Sequence, residues 1–179
     1  NRLPASLNMS SAWLQRRNDL KIITITPAEL LNIGLSATMR RVSALKKSRS
    51  PEHGIKPDRE WQSDIEGMIG EYVLAKYLDV FWTPTVGTLD SDIGDVKEWQ
   101  VRTTAWKTGS LIVNKKDHDS HKFMLITGNN TVGFDWTVRG WLYGHEAKKD
   151  KYWMDKQAGR FAYFVPQSDL RLEDDADLV

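Results

Sequence analysis

The sequence predicts an α+β chain of mixed α/β character, with two N-terminal helices packed on a central mixed, mostly antiparallel sheet. Three observations carry this. Thr26-Pro27-Ala28-Glu29 is a helix start signal followed by apolar residues at helical spacing. Residues 58–78 form a second apolar stretch with that period. From Glu98 onward, short alternating segments separated by turn residues read as strands.

Taken in order, residues 1–21 read as an N-terminal arm or an expression remnant, with Met9 a possible native start. Residues 22–25 form a short strand. The first helix then begins with a threonine cap, a first-turn proline and a glutamate three residues after the cap. Ile25 and Leu30 can close a hydrophobic staple across this start. Leu31, Leu35, Met39 and Val42 carry the helix to about Leu45, and its end is basic: Arg40, Arg41, Lys46, Lys47 and Arg49. These cations either complement the helix dipole as a solvated end or form a phosphate-contacting, nucleic-acid-binding patch.

A loop at 48–57 precedes the second helix, which contains Gly67-Met68-Ile69-Gly70-Glu71. Each glycine weakens a helix by roughly 1 kcal/mol, so close approach of another segment is the expected compensation. Glu71 shares a helical face with Gly67, Leu74, Ala75 and Leu78. A carboxylate on such a small, apolar face must be paired, protonated or bound to a cation. Glu66 lies about 140° away around the helix, so it does not share that face. Strands are expected at 80–86, 98–104, 110–113, 123–127, 134–143 and 162–165, with Gly128-Asn129-Asn130 as a hairpin turn. Residues 145–156 read as a short polar helix and 173–179 as an acidic tail. Residues 22–172 form one domain without internal repeats.

Length and composition narrow the function. The chain has 179 residues, 40% hydrophobic, enough for one sizeable core. Its net charge of +1 gives no global attraction to nucleic acid, so such binding needs a local patch. The absence of cysteine excludes disulfides and thiolate metal sites and fits a reducing, cytoplasmic compartment. No apolar run approaches the roughly 20 residues that span a bilayer.

The chemistry concentrates at residues 92–104. Trp99, Val101 and Thr103 fall on one side of a strand, and Glu98, Gln100, Arg102 and Thr104 on the other, at roughly 7 Å intervals. Asp92 and Asp95 lie just upstream. With Glu71 on a helix beside that strand, the oxygen donors suit Mg²⁺ or Mn²⁺ and a substrate phosphate. Glu71 alone could equally be a structural carboxylate that caps a loop or pairs with Arg102, and Asp92 could belong to a plain turn. Asp117-His118-Asp119-Ser120-His121 is either a solvated turn or a metal site. The tryptophans Trp99, Trp136, Trp141 and Trp153 suit core packing, or base stacking where exposed.

These motifs together resemble the PD-(D/E)XK nuclease superfamily, in particular its small phage and prophage members. The resemblance rests on Gly67-Met68-Ile69-Gly70-Glu71, Asp92-Ile93-Gly94 and Gln100-Val101-Arg102-Thr103, supported by Gly140-Trp141-Leu142-Tyr143-Gly144 and Tyr163-Phe164-Val165-Pro166-Gln167. It spans about residues 26–172. It implies a restriction-endonuclease-like core and a Mg²⁺- or Mn²⁺-dependent nuclease that hydrolyses DNA phosphodiesters, monomeric or homodimeric, in the cytoplasm of the cell or phage host. No nucleotide cofactor is implied.

By the same resemblance Asp92 is the metal-binding aspartate and Glu71 the helix carboxylate beside it. Gln100 stands at the second acid position, Val101 offers a backbone carbonyl, and Arg102 stands at the lysine position. Glu98 and Asp95 are reserve ligands. Glutamine brings no charge, and arginine cannot act as a base near neutrality. The alternatives are therefore a catalytically weak or inactive nuclease-fold protein that binds DNA or a phage protein, and a structural phage component built on the same fold.

Overall fold

Thr26 starts the first long helix as its sequence demands. In the computed structural model, which describes residues 20–47, 57–84, 86, 94–155 and 161–172, the Thr26 Oγ1 accepts from the Glu29 N–H at 3.2 Å. The Glu29 carboxylate returns the favour by accepting from the Thr26 N–H at 2.6 Å. Strand β1 (Ile22–Thr24) leads into this helix, α1 (Pro27–Lys46). After a 3₁₀ turn at Pro57–Arg59 comes α2 (Glu60–Tyr77). Strands β2 (Trp99–Thr104), β3 (Leu111–Val113), β4 (Lys122–Thr127) and β5 (Asp135–Tyr143) come next. The chain continues through the single-turn helix α3 (Gly144–Ala147), then β6 (Trp153–Asp155) and β7 (Phe161–Val165).

The α+β class holds, and the strands divide into two sheets. One has the order β1-β5-β4-β2, with β2 and β4 parallel and the other pairs antiparallel; the other is the antiparallel set β3-β7-β6. The connection from β2 to its parallel neighbour β4 passes through β3 in the second sheet. Strand β4 is apolar without alternation because both its faces are covered. Met124 and Ile126 face the helices, in a core with Ile33, Met68, Ile69, Val73, Trp99, Val101 and Trp136. Phe123 and Leu125 face the second sheet, with Leu111, Val113, Tyr152 and Val165. The result is three layers: helices, a four-stranded sheet and a three-stranded sheet.

Two expected elements are replaced. Residues 80–84 form no strand. Asp79 turns the chain at φ 52°, the Val80 N–H returns to the Ala75 carbonyl at 2.9 Å, and Val80 and Trp82 pack on the helical core. The polar helix expected at 145–156 is only α3 plus a 3₁₀ turn at Asp150–Tyr152, because the residues after that turn pair with β7 as β6. At Gly140, φ 123° and a register shift between Leu125 and Ile126 mark a bulge. A side chain there would strike the Arg171 carbonyl, which bridges to Trp141. Trp99, Trp136 and Trp141 are core residues as expected, whereas Trp153 is largely at the surface and stacks on Phe161. The expected acidic tail and N-terminal arm lie outside the described residues, apart from Leu20 and Lys21. Among the described residues no helix is long and apolar enough to cross a membrane.

Helix α2 reaches β2 through Gly70. A Cβ there would overlap the Thr103 Oγ1 and lie 2.9 Å from its Cβ. Gly70→Ala is therefore expected to destabilise the fold by about 1–3 kcal/mol through overpacking, with Thr103→Ala recovering part of that loss in the double variant. Denaturant midpoints of the two single variants and the double variant measure it. Additive effects would show that the two residues do not meet.

Candidate functional site

Glu71 is the residue around which the site is built. It is 3% exposed, on the side of α2 that covers the four-stranded sheet. Its Oε1 accepts from the Arg40 Nη2 at 2.7 Å, and its Oε2 is buried without a hydrogen-bond partner among the described residues. Burial pushes the Glu71 carboxyl up to about 7; Arg40 opposes this rise and the nearby charge of Asp95 adds to it. A Cβ at Gly67 would stand 3.6 Å from the Arg40 Nη1, an ordinary contact, so of the two glycines only Gly70 is required by close approach. The Thr103 Oγ1, against Gly70, is a second buried oxygen without a partner among those residues.

Asp95 is placed by the strand itself. Its Oδ2 accepts from the Val101 N–H at 2.7 Å, along the edge of β2 that faces away from β4. Asp95 is thus the upstream acid whose field reaches Glu71. Asp92 and the Asp-Ile part of its motif lie outside the described residues.

Gln100 and Arg102 do not join this group. Their register partners on β4 are Phe123 and Leu125, so their side chains share the sheet face that packs on the second sheet. Glu71 and Gly70 lie over the opposite face, with Val101 and Thr103. Arg102 is held where it stands. Its Nη2 donates to the Asp117 Oδ2 at 2.8 Å, its Nε to the Ile112 carbonyl at 3.2 Å, and its guanidinium lies 4.9 Å from the Phe123 ring centre. The Val101 carbonyl also accepts from Arg102, at 3.3 Å. Glu98 lies 3.5 Å from Lys122. The expectation that Glu71 and the strand residues Gln100 and Arg102 meet around one ion is therefore corrected: Glu71 lies over one sheet face, Gln100 and Arg102 on the other.

At the basic end of α1 the cations divide. Arg41, 5% exposed, turns inward to Glu60 at 2.6 Å and Asp64 at 2.5 Å, and Arg40 turns to Glu71. Lys46 and Lys47 remain at the surface, and Arg49 lies outside the described residues. The partner of Glu71 is Arg40, not Arg102. Spacing could have revealed the inward turn: Ile33, Ala37 and Arg41 recur at four-residue steps along the buried face of α1. Facing them, Glu60 and Asp64 stand four apart on α2.

In the segment at 117–121, Asp117 is committed to Arg102 and Asp119 pairs with Lys148 at 2.6 Å. The His118 and His121 rings lie 5.0 Å apart. Among the described residues, no three His, Cys, Asp or Glu side chains gather as a metal-binding group.

Because Glu71 holds its proton more tightly folded (about 7) than at its ordinary value of 4.5, its contribution to stability is full below pH 4.5. That contribution is lost as pH rises through about 7. The wild-type chain should lose more stability between about pH 4.5 and 7.5 than Glu71→Gln, as read from paired denaturant titrations. Identical pH profiles would refute the upward shift of this carboxyl. Comparison of the chain with protein-family models, with curated proteins and with solved structures finds no match.

Proposed function

We propose that the chain is a divalent-metal-dependent nuclease acting on DNA in the cytoplasm, with a restriction-endonuclease-like core and with Glu71 and Asp95 as its acid pair. The observation that carries this reading is the Glu71 Oε2, buried beside the charge of Asp95 with no donor among the described residues to satisfy it. An unsatisfied, buried carboxylate oxygen is costly unless a proton or a cation meets it. The donor set fits Mg²⁺ or Mn²⁺: Glu71 and Asp95 supply carboxylate oxygens and Thr103 a hydroxyl, all hard ligands. Asp92 belongs to the same proposal as a further ligand.

When bound, such an ion supplies positive charge that polarises a phosphodiester and favours ionisation of the attacking water. The chain's own residues do the rest. Arg40 orients Glu71 through Oε1 and places a fixed cation where a phosphate can be steadied. Glu71 must shed its proton to act as a ligand, so the site gains strength as pH rises through about 7. Arg102 acts as a positioning residue, tying β2 to β3 and to the turn at Asp117.

A second reading, a nuclease-fold protein that binds DNA or a phage protein without cutting it, draws on the Arg40–Glu71 pair, which already brings a cation to the carboxylate. One experiment separates the two. Supercoiled plasmid and a single-stranded oligonucleotide are incubated with the protein and Mg²⁺ or Mn²⁺, then with EDTA. Cleavage that falls at least 100-fold in Glu71→Ala and Asp95→Ala, but less than 10-fold in folded Arg102→Lys, is the expected result. Binding without cleavage in either metal would favour the second reading. Full cleavage by Glu71→Ala would overturn the assigned site.

A further inference from the structure

Helix α1 has two apolar faces, and only one is used within the described residues. The inner face buries Ile33, Ala37 and Arg41 against α2. The outer face carries Leu31, Leu35, Met39, Val42 and Leu45, exposed by 75%, 62%, 54%, 39% and 56%. Around them the outer face holds Ala28, Asn32 and Thr38, and no charged side chain interrupts it before Lys46.

We infer that this outer face is a self-association surface, on which α1 of a second copy of the chain packs antiparallel across a twofold axis near Thr38 and Met39. Spacing, area and charge select a second copy. The five apolar positions lie fourteen positions apart from first to last, in four steps that average 3.5, which is the repeat that keeps a seam facing a partner helix. They leave on the order of 500 Å² of apolar surface, the size of the largest patch on a typical monomer, a kind of patch that often serves an interaction. With the flanking residues the face approaches the roughly 800 Å² per partner of a standard interface.

Charge then sets the direction. Parallel packing would bring Lys46 and Lys47 of both copies together. Antiparallel packing separates them and opposes the two helix dipoles; Glu29, turned to Tyr72 and Lys76 of α2, takes no part. Leu35 then meets Val42 and Leu31 meets Leu45, so the apolar side chains cover one another in both halves. The pairing is isologous and closes after two copies.

The native chain has no cysteine, which makes cross-linking unambiguous. Sedimentation of the full chain should show a dimer at micromolar concentration, and Leu35→Glu should weaken it at least 100-fold with an unchanged thermal melt. Under mild oxidation, Met39→Cys should form a disulfide-linked dimer. Leu31→Cys should not link alone but should link when mixed with Leu45→Cys. A chain that stays monomeric at hundreds of micromolar, or a dimer indifferent to Leu35→Glu, overturns the proposal. So does a monomer that dimerises only after removal of residues 1–19, which would show the face to be covered from within the chain. Self-linking by Leu31→Cys alone overturns the antiparallel arrangement.

Discussion

The contact between Gly70 and Thr103 governs how the helical layer sits on the sheet and what that layer buries. A glycine in the middle of a helix costs roughly 1 kcal/mol relative to alanine, and α2 carries it where any side chain would meet β2. The helix thereby comes close enough to the sheet for Met68, Ile69, Val73 and Leu74 to be fully buried. It also carries the next residue, Glu71, into the interior. The acid is therefore buried as a consequence of close packing, and its tight hold on a proton comes from the same geometry.

Charge inside the helical layer is managed by α1. Two adjacent arginines, about 100° apart on the helix, reach different carboxylates on α2: Arg40 takes Glu71, and Arg41 takes Glu60 and Asp64. Arg41 and its acids are mutually satisfied, so they act as a clamp between the helices. Removing one member of such a buried pair typically costs about 3–5 kcal/mol. Arg40 meets only one oxygen of Glu71. At the other end of the same helix, Glu29 is held charged, its carboxyl well down at about 2. The Thr26 backbone N–H contributes most to this, then the Tyr72 hydroxyl and the Lys76 ammonium. Together these contacts fix α1 to α2 at both ends and leave the acid of the candidate site, half satisfied, between them.

The helices and most strands are legible in the sequence because their signals are local. The cap at Thr26, the alternation of Trp99, Val101 and Thr103, and the apolar run in β4 each depend on a few neighbouring residues. The alternation correctly separates the two sides of β2. It cannot say what covers each side, because a period of two is blind to which layer lies above. From the sequence the polar side reads as the open, catalytic one. Instead the β3-β7-β6 sheet covers it and Arg102 is tied to Asp117, while the acid helix lies over the apolar side. Strand β6 is hidden for a related reason: its three residues are a strand only because β7 pairs with them. Arg40 and Arg41 read as part of a surface run because runs of like charge are usually solvated. The four-residue recurrence of Ile33, Ala37 and Arg41 marks the buried face, but the partners of both arginines are acids about twenty to thirty positions away, which no local pattern names.

Asp95 does more than lend its field to Glu71. The outer margin of β2 has no neighbouring strand among the described residues, and unpaired backbone groups on such an edge are a template for a foreign chain; here Val96 already takes both backbone groups of Trp99. By taking the Val101 N–H for itself, this carboxylate closes one rung of that template. The same side chain thus withholds that backbone donor from pairing with a foreign strand.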